Sequence, residues 1–487
     1  MAPPPSFPKI GSHRSVAAFR GHLAAVGPDV PVDGEILAAP ASPLAAKCSW
    51  KGRAIGNRWA IQPMEGWDGT ADGKPGPHTL RRWRNFGRSG AKLIWGGEAT
   101  AVRSDGRANP NQLVIGPETL LGLAELRRVL LEEHRARFGG AEGLVIGLQL
   151  THSGRFARDG AGRPAPRVAY RHPILDARVG ASEASVLTDG EVEKLIEDFV
   201  RAASGARELG FDFVDVKCCH GYLLHEFLGA HTRPGPYGGS FENRTRLLRE
   251  IAAGIRSDAP GIEIGVRVSI FDLVPFRPDP ARSRPGSPGP GVPEETAGHL
   301  PYRFGFGVDE RDPTRIDLDE GFLFLSLLGR IGIGAVNLTG GSPYYNPHIQ
   351  RPAAFPPSDG YLPPEDPLAG VVRHLRAARD CKKRCGDLLV VGTGFSYLQD
   401  FLPHVAQAVV REGWMDLAGL GRMVLAYPEL PADTLERGTM ERKRICRTFS
   451  DCTTAPRNGL ASGCYPLDPY YAGLEEAERL KEMKNRL

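Results

Sequence analysis

Eight short apolar or β-branched runs recur along this chain, each leading into a glycine-bearing loop and then a segment of helical period. They are WAIQP (59–63), KLIWGG (92–97), LVIGLQL (144–150), FDFVDV (211–216), IEIGVRV (262–268), GAVNLT (334–339), LLVVGTG (388–394) and DLAGLG (416–421). Strands that alternate with helices pair in parallel, because each crossover brings the chain back to the same edge of the sheet. Eight such units favour an α/β fold of the closed (β/α)8 TIM-barrel type over an open doubly wound sheet. No tight GxGxxG follows any of the runs, so a Rossmann reading lacks its fingerprint. Between the third and fourth runs Thr188 and Glu191 form a T-x-x-E capping box, with Val192, Leu195, Ile196, Phe199, Val200 and Ala203 at helical spacing behind it. The stretches ENRTRLLREIAAGI (242–255) and YLQDFLPHVAQAV (397–409) have the same pattern.

Three parts fall outside this repeat. Residues 1–45 form a proline-bearing N-terminal extension, and 46–430 hold the barrel. After the fifth run comes LVPFRPDPARSRPGSPGPGVPEE (273–295), with further loop to 318, too long for an ordinary connection. Attached behind a strand, it would overhang the catalytic face as a lid or substrate selector; a disordered surface insertion is the alternative. Residues 431–487 form a C-terminal segment that carries cysteines and ends in the charged helical run LEEAERLKEMKNRL. With 61 Lys and Arg against 57 Asp and Glu, the net charge is only +4, and the basic residues are scattered. No nucleic-acid partner is expected from that distribution. The opening residues show no leader and nowhere do about 18 apolar residues run together. A soluble cytoplasmic protein without a membrane partner, and a homo-oligomer, are expected. Eight cysteines are too sparse for a disulfide scaffold.

Residues that end strands at the C-terminal face of such a barrel are those that meet ligand. They include Pro63 and Met64 after the first run, Ala99 near the second, Gln149 in the third and Arg267 in the fifth. Gly392 and Gly394, then Gly421 and Arg422, close the seventh and eighth. Glycines allow backbone N–H groups to approach a phosphate and a guanidinium grips it in two places, although a glycine after a strand is commonly just a turn. Arg267 inside an apolar strand implies an anionic or electron-rich partner, or else a structural ion pair. The fourth run ends in KCCHGYLLHEF (217–227), which places an ammonium, two thiols, an imidazole and a phenol within six residues.

The set QPM, EATAV, LQLTHSGR, HGYLLHEFL followed by PYGGSFENR, VRVS and GLGR, in that order, resembles the old yellow enzyme family of FMN-dependent oxidoreductases over roughly residues 45–430. Within it the chain most resembles the longer branch of 2,4-dienoyl-CoA reductase and trimethylamine dehydrogenase. The resemblance implies an FMN barrel in which Pro63, Met64 and the Ala99 loop meet the isoalloxazine edge and Gln149 bonds its pyrimidine end. Arg267 would lie by N1 and O2, with Gly392, Gly394, Gly421 and Arg422 at the phosphate. His220 and Lys217 would grip a substrate carbonyl and Tyr222 would give a proton. Lys217 departs from the usual His at its position: it either favours an anionic substrate or turns aside to a neighbouring acid. His152 and Arg155 would orient Gln149 or shape the pocket, Asp215 reads as structural, and Cys218 and Cys219 are either redox active or, as is commoner for strand cysteines, small apolar packing.

Cys446, Cys452 and Cys464 are spaced like three of the four iron–sulfur ligands of that branch, but Phe449 stands where the fourth is expected. An iron–sulfur cluster completed from elsewhere, a zinc site, or plain packing all remain open. The longer relatives continue into nucleotide-binding domains, whereas this sequence stops soon after Cys464. NAD(P)H would then reach the same FMN as the substrate, or a separate electron-transfer protein would supply electrons. The expected activity is NAD(P)H-dependent reduction of an activated C=C bond conjugated to a carbonyl or carboxylate in a small molecule. The alternatives are an FMN-dependent amine dehydrogenase or demethylase that passes electrons to a partner, and a non-redox phosphate-binding lyase or isomerase with Lys217 as Schiff base.

Overall fold

The computed structural model describes residues 6–486. The first five residues of the N-terminal extension and Leu487 lie outside it. A short antiparallel hairpin, β1 (Cys48–Trp50) and β2 (Arg53–Ile55), precedes the barrel. The barrel strands are β3 (Trp59–Ile61), β4 (Leu93–Ile94) with its short companion β5 (Ala99–Ala101), β6 (Val145–Thr151), β7 (Phe213–Cys218) and β8 (Glu263–Phe271). After the hairpin of β9 (Phe276–Pro278) and β10 (Gly291–Pro293) follow β11 (Ala335–Gly340), β12 (Leu389–Gly392) and β13 (Leu417–Leu420). Pairing runs β3–β4–β6–β7–β8–β11–β12–β13 and back to β3, all parallel, so every strand edge is used. Each of the eight runs read from the sequence therefore contributes one stave of a closed (β/α)8 TIM barrel.

Strand periodicity sorts the side chains. In β7, Val214 and Val216 face the outer core, where they pack with the crossover helices, whereas Phe213 belongs to a separate cluster inside the barrel. That inner cluster joins Leu93, Trp95, Val145, Ala335 and Leu417 to Trp50 and Ile55 of the hairpin, which plugs the lower end. Trp50 meets Phe213 edge to face at 5.0 Å and lies 6.3 Å from Trp95. Glycine at 147 is required there, since a Cβ would come within 2.3 Å of the Phe213 ring. The helix capped by Thr188 spans Asp189–Glu208, with Glu191 bonding back to the Thr188 N–H.

The stretch expected at 242–255 divides into Phe241–Arg244 and Arg246–Asp258. That at 397–409 begins as a 3-10 turn, Phe395–Phe401, and becomes α-helical at Leu402–Arg411. The proline-rich segment is ordered: its β9–β10 hairpin leads to Tyr302 and Phe306, both buried, and Tyr170 donates to the Phe304 carbonyl at 2.8 Å. The N-terminal part contains a helix, Val16–Val26, and the C-terminal part folds back on the barrel mouth through the short helix Asp451–Arg457. Among the described residues no helix is long and apolar enough to cross a membrane.

Candidate active site

Above the aromatic plug, the next inward positions of β6, β7, β8 and β11, and the residue that follows β3, turn polar. Gln149, Asp215 and Arg267 stand on β6, β7 and β8, and Gln62 and Asn337 face them from just past β3 and from β11. Asn337 donates to Gln62 at 2.6 Å, and Gln62 donates to the Gly392 carbonyl at 3.2 Å. Gln149 Nε2 donates to Asp215 Oδ2 at 2.6 Å, and the Arg267 backbone N–H donates to Asp215 Oδ1 at 2.7 Å. Burial pushes the Asp215 carboxyl up to about 6 despite these donors. The Arg267 side chain has one long bond, Nη1 to the Pro63 carbonyl at 3.4 Å, and its buried Nε has no partner. A buried guanidinium this poorly served is costly unless a ligand completes it.

This polar layer is the floor of an open cleft holding about 990 Å³ of empty space. Pro63, Met64, Ala99, Gln149, Lys217, His220, Tyr222, Arg267 and Arg422 all line it. An adjoining recess of about 630 Å³ is lined by Gly394, Ser396, Gly421 and Arg422. Gly394 has φ +94°, and a Cβ at Gly421 would meet open space. Arg422 donates once, to the Pro352 carbonyl at 2.8 Å, and its buried Nη1 is without a partner. The glycine-walled recess and its free guanidinium N–H fit a phosphate, and the cleft floor fits a flat, electron-accepting ring. Gly392 does not reach this wall: its carbonyl serves Gln62, and a Cβ there would lie 2.2 Å from the Met415 sulfur.

On the opposite wall β7 ends in the group that the sequence singles out. His220 has φ +67°, a left-handed conformation unusual outside glycine, which is pinned by its N–H to Ser269 Oγ (3.0 Å) and by Ser342 Oγ donating to its carbonyl (2.7 Å). Its ring faces Thr339 and Gln350, each at 3.4 Å, and burial holds the imidazole well below its ordinary pKa, hence neutral. Tyr222 donates to Glu65 at 2.9 Å and shares a 2.9 Å hydroxyl contact with Tyr344. Lys217 Nζ lies 3.7 Å above the Tyr222 ring and 3.6 Å from Glu65. Lys217 lines the cleft rather than turning aside, and Glu65, also in the cleft, is the acid that matches its charge.

Arg155 pairs with Asp176 and Glu226 and thereby anchors the helix that starts after Tyr222. His152 accepts the Gly154 N–H, and the Gln149 side chain bonds to Asp215 rather than to either residue. Cys218 and Cys219 are buried, and burial raises both thiols.

The residues that sequence reasoning missed enter from loops and from the C-terminal segment. Glu65 and Trp67 directly follow Met64, so the strand-end rule could have reached them. Tyr344, Gln350 and Arg351 come from the loop after β11, and Arg457 comes from the helix Asp451–Arg457, which lays Cys452 and Arg457 over the cleft. Arg457 is bonded to Asp359 and Arg351 to Thr453. Burial and the neighbouring Arg457 and Arg422 bring Arg351 down to about 9. Arg351 and Arg422 stand at the rim bonded to neutral groups, Thr453 and the Pro352 carbonyl.

The three cysteines do not assemble as a metal site. Among the described residues no group of three His, Cys, Asp or Glu side chains is placed to hold an ion. Burial raises the Cys446 and Cys464 thiols, the Cys446 sulfur receives the Thr448 N–H at 3.4 Å, and Cys452 faces the cleft. Phe449, at the missing fourth position, packs its partly exposed ring on Phe355 at 5.6 Å. Three cysteines with Phe449 at the fourth position do not match a four-thiolate cluster.

Residues 92–279 match the family model described as NADH:flavin oxidoreductase / NADH oxidase family. The NADPH dehydrogenase of Geobacillus sp. (strain WCH70) is 34% identical over 238 residues, which cover 46% of this chain and 62% of that protein. The NADPH dehydrogenase of Bacillus subtilis (strain 168) is 33% identical over 230 residues, with 46% and 62% covered. Over that stretch the chain is similar to the old yellow enzyme family. It spans about 62% of the length of these curated relatives of the family.

Solved structures agree on the fold. A 2-naphthoyl-CoA reductase complex superposes with TM-score 0.65 at 19% identity, covering 90% of this chain and 58% of the other. The old yellow enzyme homologue from Zymomonas mobilis gives 0.54 at 19% identity, with 80% and 91% covered. Morphinone reductase in complex with tetrahydroNAD gives 0.52 at 20% identity, with 80% and 90% covered.

Proposed function

We propose that this barrel is a member of the old yellow enzyme family that binds FMN and uses NAD(P)H to reduce an activated C=C bond conjugated to a carbonyl or carboxylate. The observation that carries the reading is the buried, underserved Arg267 guanidinium on the floor of a cleft whose opposite wall presents a neutral imidazole and a phenol. Pro63, Met64, Ala99, Gln149 and Arg267 would hold the ring, and Gly394, Gly421 and Arg422 the phosphate. FMN, when bound, supplies hydride chemistry between a reduced nicotinamide and the β carbon of a polarised alkene.

The chain's own residues do the rest. Arg267, itself buried, places fixed positive charge where the ring gains electrons. His220, held neutral, can donate one hydrogen bond to the substrate carbonyl and so polarise the alkene. Tyr222 is the proton donor to the α carbon. Lys217 orients that phenol and balances Glu65, and Arg457 is likewise matched by Asp359, so Arg351 and Arg422 are the better support for an anionic substrate. The thiols of Cys446, Cys452 and Cys464 take no part in this reading.

Purified protein should be yellow, bleach anaerobically with NADH or NADPH, and recover its colour on addition of an enone. A protein that remains colourless after incubation with excess FMN overturns the proposal. Bleaching by an amine but by neither nucleotide would replace it with the dehydrogenase reading.

A further inference from the structure

Glu65 has no task in holding a ring or a phosphate, yet the structure goes to some length to place it. Its carboxylate receives Tyr222 Oη at 2.9 and 3.1 Å and Trp67 Nε1 at 2.6 Å, with Lys217 Nζ at 3.6 Å. The loop that carries it is braced from behind. Gly66 N–H donates to Glu98 at 2.7 Å, and Glu98 is paired with Arg82 at 2.6 Å, which also grips Asp68. A Cβ at Gly66 would lie 2.1 Å from Arg82, and Trp67 adopts φ +55°, a strained value for a bulky side chain. A buried ion triad thus fixes the acid against the phenol.

A tyrosine hydroxyl has one proton to give. While Tyr222 donates it to an ionised Glu65, nothing remains for a substrate carbon. We infer that Glu65 is the proton-relay partner of Tyr222, a role that rests on the reductase reading above. In the relay, Glu65 takes up a proton from solvent in the open cleft and passes it to Tyr222 Oη. As the Tyr222 O–H bond breaks and the α C–H bond forms, the Glu65 proton moves to Tyr222 Oη. The phenol is regenerated, Glu65 is left as a carboxylate facing Lys217, and solvent in the open cleft returns the proton. No free tyrosinate is formed at any point. That matters because burial, and next the Glu65 charge, hold the Tyr222 phenol well above its ordinary pKa. The shared contact with Tyr344 fixes the phenol's orientation during the exchange.

The test uses the full chain loaded with FMN, reduced by NADPH and mixed with an enone in H2O/D2O mixtures. The parent's reoxidation rate should curve with deuterium fraction, because two protons move together. Glu65→Gln, whose amide can bond but cannot pass a proton, should reoxidise about 100-fold more slowly with a linear dependence, while its reduction by NADPH stays within about twofold of the parent. Glu65→Asp should restore part of the lost rate. In the flavin-free protein, one tyrosine of Glu65→Gln should ionise at lower pH than in the parent, seen as tyrosinate absorbance, because a neighbouring negative charge has gone. A linear dependence in the parent, or reoxidation of Glu65→Gln within about threefold of the parent, overturns the relay. The parent measurement decides even where the variant does not fold. A parent that fails to bleach or to be reoxidised counts against the reductase reading instead, and the tyrosinate titration then still tests the Glu65–Tyr222 coupling.

Discussion

At the lower end of the barrel Trp50, Trp95 and Phe213 fill the interior edge to face, whereas two residues further along β7 and its neighbours Asp215, Gln149 and Arg267 occupy the equivalent inward positions. The lower layer is closed by a hairpin and consists of groups that lose little on leaving water. The upper layer is open and keeps a guanidinium N–H without a partner. Indole N–H groups of Trp50 and Trp95 are unpartnered as well, but a neutral donor buried alone costs about 1–3 kcal/mol, less than an unpaired cation. One set of strands therefore holds a stability layer and a chemistry layer a few ångströms apart, and substitutions in the two should have different signatures.

The largest effect is expected below. Phe213→Ala opens a cavity beside Gly147 and should lower the unfolding free energy by about 3–5 kcal/mol in denaturant titrations, with the flavin spectrum of the folded fraction unchanged. Asp215 should give a pH signature. Its carboxyl is raised in the folded state to about 6 from an ordinary 3.8, so the folded protein binds this proton more tightly than the unfolded chain. The resulting stabilisation is complete below about pH 4 and is lost as pH rises through about 6, a change on the order of 3 kcal/mol. Asp215→Asn should flatten the pH slope of the unfolding free energy over that interval by this amount.

Arg267→Met should weaken FMN retention by about 100-fold, or roughly 3 kcal/mol, while the flavin-free protein melts at an equal or higher temperature, since an unpaired buried cation has gone. A fall in both would show that Arg267 is structural and would erase the contrast between layers. Smallest is Arg422→Gln at the recess, where an about tenfold loss of FMN affinity is expected with no change in stability beyond about 0.5 kcal/mol. That loss should shrink with riboflavin, which lacks the phosphate.

Every stave of the barrel was legible in the sequence, because a β-branched run followed by glycine and a capped amphipathic helix is a local pattern that tertiary contacts only confirm. The split at Thr245 and the 3-10 start at Phe395 were not, since such details depend on docking of the helix ends. For the site, strand-end logic with the family resemblance brought Pro63, Met64, Ala99, Gln149, Lys217, His220, Tyr222, Arg267 and Arg422 to one cleft. Gly392 stands apart because its strand position points at Met415. Burial raises the Cys464 thiol, and Cys446 and Cys452 stand near enough to raise it further, yet among the described residues no group of three His, Cys, Asp or Glu side chains is placed to hold an ion.

By itself the sequence determined the alternation of strand and helix, the polar residues at the strand ends and the room left by Gly147, all of which follow from backbone periodicity and side-chain size. Only the tertiary structure decided that Glu65 would meet Tyr222 from 157 positions away, that Lys217 would have its charge matched, and that Arg457 would arrive at the rim from the C-terminal segment. Closure of the barrel brings the ends of distant strands to one mouth. The charge on each group there is set by whichever neighbours burial forces it to share.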